Sequence, residues 1–146
     1  MTHHHKFARK ILLAVALTAG ATGFAQADTI NIKAALNAAS EVPAVTSPAT
    51  GTLDGTLDTA SNVLKWKTTY SGLTGPASAA HFHGPAAAGQ NAGVVVPFKS
   101  PASGAEGEAT LTAAQTADLM AGKWYVNVHT AANPGGEIRG QVSAAK

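Results

Sequence analysis

Three histidines carry most of the chemistry this sequence can offer. His81 and His83 stand in Ala80-His81-Phe82-His83-Gly84-Pro85, and His129 lies in Trp124-Tyr125-Val126-Asn127-Val128-His129-Thr130. In an extended strand alternate side chains share a face, so His81 and His83 point one way and Phe82 the other. Two imidazoles one strand repeat apart suit chelation of a single ion, and His129 is expected to converge on it. A lone histidine on an edge strand is ordinarily a surface residue. Here every histidine outside the N-terminal leader sits in a strand context, two of them as His-x-His. The chain has no cysteine, so a transition-metal site must use His, carboxylate, Met or backbone oxygen. A three-His shell leaves a coordination position open, as reactive sites require. Cu²⁺ ranks above Zn²⁺ for such ligands, so copper is the expected ion and zinc the second choice.

Four further groups stand near these residues or could compete with them. Arg139, in Gly136-Glu137-Ile138-Arg139-Gly140-Gln141, follows one turn after the His129 strand. It reads either as a surface arginine paired with Glu137 or as a guide for a small anion approaching an open metal position. Tyr125 and Asn127 share the face of His129 by period two. They are ordinary sheet residues or hydrogen-bond partners that fix an imidazole. Glu106 and Glu108 flank a glycine and read as a solvated charge pair. Met120 lies in an Ala-rich segment and reads as core rather than as a soft copper ligand. Gly135-Gly136 is too sparse for a phosphate cradle, and no Ser-His-Asp arrangement competes with the histidine cluster.

The elements that must position these residues begin after a leader. Lys6, Arg9 and Lys10 precede an apolar run, Ile11 to Ala19, and Ala25-Gln26-Ala27 is a small-x-small cleavage site. Residues 1–27 are therefore expected to be a secretory signal peptide, with His3, His4 and His5 removed along with it. The mature chain, residues 28–146, would be periplasmic or secreted, with no later membrane span. Of the ten Lys and Arg, three lie in the leader, so seven face eight Asp and Glu and the formal charge becomes −1. With no basic stripe and no interleaved aromatics, nucleic-acid binding is not expected. The length suits one domain with one core.

Alternation and turn residues predict about eight short strands. Thr29–Lys33, continuing towards Asn37, is the first. Thr50–Asp58 and Val63–Tyr70 form a hairpin about Thr59-Ala60-Ser61-Asn62. Ala79–His83, Val94–Phe98, Glu108–Leu111, Trp124–His129 and Glu137–Val142 follow, with a mobile Gly- and Ala-rich loop over 84–93. Thr112-Ala113-Ala114-Gln115 matches a capping box and opens one short helix to Ala121, with Leu119 and Met120 available to pack and Gly122 as its stop. The fold class expected is all-β, an antiparallel Greek-key β-sandwich with one short helix, and a closed barrel is the alternative.

At these landmarks the chain resembles the CHRD domain family, first described in chordin and found in exported bacterial proteins. The matching stretches are Glu41-Val42-Pro43, Ala49-Thr50-Gly51, Ala80-His81-Phe82-His83-Gly84, Leu111-Thr112, and Tyr125-Val126-Asn127-Val128-His129-Thr130 through Asn133-Pro134-Gly135-Gly136-Glu137-Ile138-Arg139-Gly140-Gln141. The resemblance covers nearly all of residues 28–146 and implies a β-rich domain. The site is also similar to that of the copper,zinc superoxide dismutases, with an H-x-H strand, a later strand-end histidine and an arginine beyond a glycine-rich turn. The bridging histidine, the zinc subsite and the disulfide cysteines of those enzymes have no counterpart, and the run from Asn133 to Arg139 is longer than theirs. That resemblance implies a copper-only dismutase turning superoxide into oxygen and hydrogen peroxide, with His81, His83 and His129 on the metal and Arg139 steering the anion. The alternatives are a non-catalytic periplasmic copper buffer and a metal-free interaction module.

Overall fold

The computed structural model describes residues 1 and 28–145. The expected secretory leader therefore lies, Met1 apart, outside the described residues. Nine strands and one α-helix make up the domain: β1 (Thr29–Asn37), β2 (Thr50–Asp58), β3 (Val63–Ser71), β4 (Ala77–His83), β5 (Val94–Pro97), β6 (Glu106–Thr110), α1 (Ala113–Met120), β7 (Tyr125–Thr130), β8 (Ile138–Gln141) and β9 (Ser143–Ala145). A single 3₁₀ turn, Ala38–Ser40, follows β1. Among the described residues no helix is long and apolar enough to cross a membrane.

Period-two patterning builds the inner face. On β1, Ile30, Ile32, Ala34 and Leu36 are buried while the residues between them are exposed. Leu53 and Leu57 of β2 and Leu64 and Trp66 of β3 join the same core. The β2–β3 turn is held by the Asp58 carboxylate, which accepts from the amides of Ala60 and Ser61 at 2.9 Å each. Asn62 supplies the left-handed residue at φ 57°, a conformation asparagine tolerates better than most.

The strands pair antiparallel throughout, in the order β5-β4-β7-β8-β1-β2-β3-β6, with β9 also on β1. Five strand spacings separate β4 from β3 along that path, about 24 Å on a flat sheet. Yet the rings of Phe82 on β4 and Trp66 on β3 meet edge to face with centroids 5.1 Å apart. Phe98 packs on both, at 4.9 Å from Trp66 and 5.1 Å from Phe82. The sheet therefore curls until its two ends face each other across one apolar core. The all-β antiparallel class with one short helix is as expected. The layers belong to one continuous, nearly closed sheet rather than to two separately bonded sheets.

The helix obeys its local signals. Thr112 and Gln115 form the reciprocal capping box, and Gly122 follows the helix at φ 71°. Leu119 is fully buried, whereas Met120 is 45% exposed and contributes neither to the core nor to the histidine cluster. The short strand β9 was not separated from β8 by any sequence signal. Its residues lack both alternation and β-branched side chains.

Candidate metal centre

The outer face of the sheet at β4, β7 and β8 is where the candidate site forms. The register pairs His81 with Asn127 and Asn127 with Arg139, pairs His83 with Tyr125, and sets His129 opposite Ala79. Phe82, Val126, Val128 and Ile138 point into the core, so His81, His83, Tyr125, Asn127, His129 and Arg139 share the opposite face. Alternation alone would leave that face wet. Instead every residue of β7 is buried. The 84–93 loop, the 131–137 loop and the segment after the 3₁₀ turn fold over it, leaving His81 part-exposed at the rim.

The three histidines come together as expected: their ligand atoms all lie within 4.8 Å of one another. Two of them are aimed by backbone carbonyls. His83 Nδ1 is 2.9 Å from the Ala92 oxygen and His129 Nδ1 is 2.9 Å from the Pro134 oxygen. A carbonyl only accepts, so each Nδ1 carries the proton and each Nε2 keeps its lone pair. His83 Nε2 is buried without a hydrogen-bond partner among the described residues. His81 Nδ1 lies 3.1 Å from His129 Nε2. Burial lowers the pKa of His81, and repulsion from His129 and His83 lowers it further. Burial also lowers that of His83, although its bond to Ala92 acts the other way. Neutral imidazole is the form a metal needs.

These residues fit a transition metal. Two nitrogens about 2.0 Å from one ion and 3.1 Å apart subtend roughly 100° at it. Nitrogens on opposite sides of such an ion stand about 4.1 Å apart. The full set spans up to 4.8 Å, so the donors must draw closer by side-chain rotation to share one ion.

Arg139 is not a surface residue and does not pair with Glu137. It is 1% exposed, with its guanidinium carbon 3.4 Å above the centre of the Tyr125 ring. The other side of that ring stacks in parallel on His83, centroids 4.7 Å apart, because β7 runs between β4 and β8. Tyr125 thus separates Arg139 from His83. The guanidinium donates to Asn91 Oδ1 at 2.9 Å and to the Gln90 oxygen at 2.6 Å, pinning the covering loop. It also lines a cleft of about 280 Å³ with Glu41, Val42 and Gln141, outside the histidine cluster.

Two carboxylates complete the surroundings: Glu41, and Glu137, which the sequence marked only as a partner for Arg139. Glu41 is buried beside the Asn127 amide; burial raises its pKa to about 7, against the pull of Arg139 and Asn127. The one signal was its place in the Glu41-Val42-Pro43 landmark, since an irregular segment has no periodicity to mark a face. Glu137 is fully buried and accepts five hydrogen bonds: from Ser47 Oγ, the Thr74 amide, Thr74 Oγ1, Thr130 Oγ1 and Asn133 Nδ2. Burial opposes its ionisation, but bonds from Ser47, Thr130 and Thr74 prevail and hold its pKa at about 2. Glu106 and Glu108 stand apart on β6, where Glu108 meets Lys65 at 3.2 Å on the surface.

Three imidazoles that could hold a metal ion stand together on a curled antiparallel sheet, His83 and His129 buried and His81 at the rim. The chain belongs to the CHRD domain family, whose model matches residues 32–142 and so takes in all three histidines, Asn127, Arg139 and Glu41. No curated protein and no solved structure matches the chain significantly.

Proposed function

We propose that this CHRD domain is an exported copper-binding protein that holds one ion through His81, His83 and His129. The observation that carries the reading is the pair of Nδ1–carbonyl bonds, which turn the lone pairs of His83 and His129 into a common buried space. Copper ranks ahead of zinc for nitrogen ligands. A bound copper would supply redox chemistry. The protein's part is to favour the neutral rings of His81 and His83, exclude bulk water and leave one side accessible at His81.

That accessible side favours one second reading, superoxide dismutation, because a small anion can approach along the rim. Arg139 serves it less directly than a dismutase arginine would, since Tyr125 stands between its guanidinium and His83 and the guanidinium is bound to Asn91 and Gln90. Storage or delivery of copper therefore ranks first, ahead of dismutation and of a metal-free interaction role. Metal analysis of the purified mature chain, with Cu(II) titration of wild type and His83→Ala, tests the proposal. One equivalent bound by wild type, with affinity lost in the variant, is expected. Equal weak binding by both would refute it. Superoxide consumption by the copper-loaded protein above that of free ion would move dismutation to first place.

A further inference from the structure

We propose, on the basis of the copper reading above, that Asn127 is a fourth ligand and binds the ion through Oδ1. The orientation of its amide is fixed by what lies behind it. Nδ2 donates to the Gly135 oxygen at 3.3 Å, and Nδ2 and Glu41 Oε1 both border the space over Gly136. The Gly135 carbonyl can only accept, so the NH₂ group belongs on that side. Oδ1 therefore faces the histidines.

Oδ1 lies 2.9 Å from His129 Nε2. His129 carries its proton on Nδ1, towards Pro134, so Nε2 is also an acceptor. Two acceptors at hydrogen-bond distance repel unless a positive charge sits between them. A proton on His129 would relieve that one contact. A metal ion relieves it and also takes up the orphaned lone pair of His83 Nε2. At bond lengths of about 2.0–2.1 Å, donors 2.9 Å apart subtend roughly 90° at the ion. Copper remains the first choice on the ligand-affinity order.

Asn127 is 2% exposed in the middle of β7, so it is a built-in donor rather than a mobile one. The shell becomes three nitrogens and one oxygen. An amide oxygen is a hard ligand, and soft thioether or thiolate ligands, which select Cu(I), are missing. The centre is therefore tuned to hold Cu(II).

The test is Cu(II) affinity by chelator competition, with paramagnetic resonance spectra, for wild type, Asn127→Ala, Asn127→Asp and His129→Ala. As a ligand, Asn127 predicts that Ala weakens binding by about 10- to 100-fold. Asp, nearly the same shape with a charged oxygen, should tighten it and shift the copper hyperfine splitting. If Asn127 merely braced His129, Asp would set a second carboxyl against Glu41 and both variants would bind more weakly. That result, or unchanged affinity in both, overturns the proposal, while loss of binding in His129→Ala leaves the three-histidine reading standing. Absence of Cu(II) binding by wild type overturns both. Should the Ala variant fail to fold, the sign of the Asp effect decides.

Discussion

Replacing Glu137 by Gln removes one charge and almost no volume, so its effect isolates the worth of a buried carboxylate without a cation. In the native protein Oε1 accepts from Ser47 and the Thr74 amide, and Oε2 from Thr74 Oγ1, Thr130 Oγ1 and Asn133 Nδ2. Hydrogen bonds to a charged group are worth about 1.5–3 kcal/mol against 0.5–1.5 for neutral ones. In the Gln variant the two bonds on the retained oxygen fall to the neutral value. The new NH₂ must turn two threonine hydroxyls around, and it faces Asn133 Nδ2 donor to donor. Part of this is recovered by relaxation, so the expected loss is about 3 kcal/mol at pH 7. The sign with pH follows from the pKa held at about 2 against an ordinary 4.5. A depressed carboxyl stabilises the fold above the unfolded value, and that contribution drains away as pH falls from about 4.5 towards 2. Urea denaturation of both proteins at pH 7 and pH 3 should therefore show a gap that is wide at neutral pH and narrower in acid. The 131–137 loop that Glu137 anchors also carries the Pro134 oxygen that orients His129, so copper affinity should drop too. Equal stability at pH 7, or a gap that does not change with pH, would refute the reasoning.

Gly136→Ala should cost about 1–3 kcal/mol from its φ of 124° alone, and its methyl would displace Glu41 and Asn127, weakening copper binding. Gly135→Ala, where nothing lies within 4 Å, is the control and should change neither the thermal midpoint nor the affinity. Arg139→Lys keeps the charge but loses the flat stack on Tyr125 and the fork to Asn91 and Gln90, so thermal stability and copper affinity should both fall. Wild-type values for both in that variant would show that only the charge matters.

Strand placement was legible where one face is buried and the other wet. The alternation of β1 and the hairpin of β2 and β3 translate directly into register. The His-x-His pair was readable for the same reason, since period two fixes a common face. What could not be read was the burial of that face. Polar residues at alternate positions ordinarily mean solvent, and here two loops and the Glu41 segment cover them. Burial of Arg139 depends on Tyr125 and on Asn91, from an element distant in sequence, which local patterning cannot report. Glu137 looked like the natural ion-pair partner of Arg139 two residues away. It precedes β8, however, and turns to hydroxyls from Ser47, Thr74 and Thr130.

The position of β7 has a consequence for how an ion comes and goes. This strand is hydrogen-bonded on both sides and covered above and below, and it carries both Asn127 and His129. Its amides should be among the slowest in the molecule to exchange with deuterated water, whether or not an ion is present. On the proposed copper reading, and unlike a zinc finger, which must fold around its metal, the domain would meet the ion with its three histidines already gathered. Loading and release would then proceed at the His81 rim, with the rest of the architecture standing still.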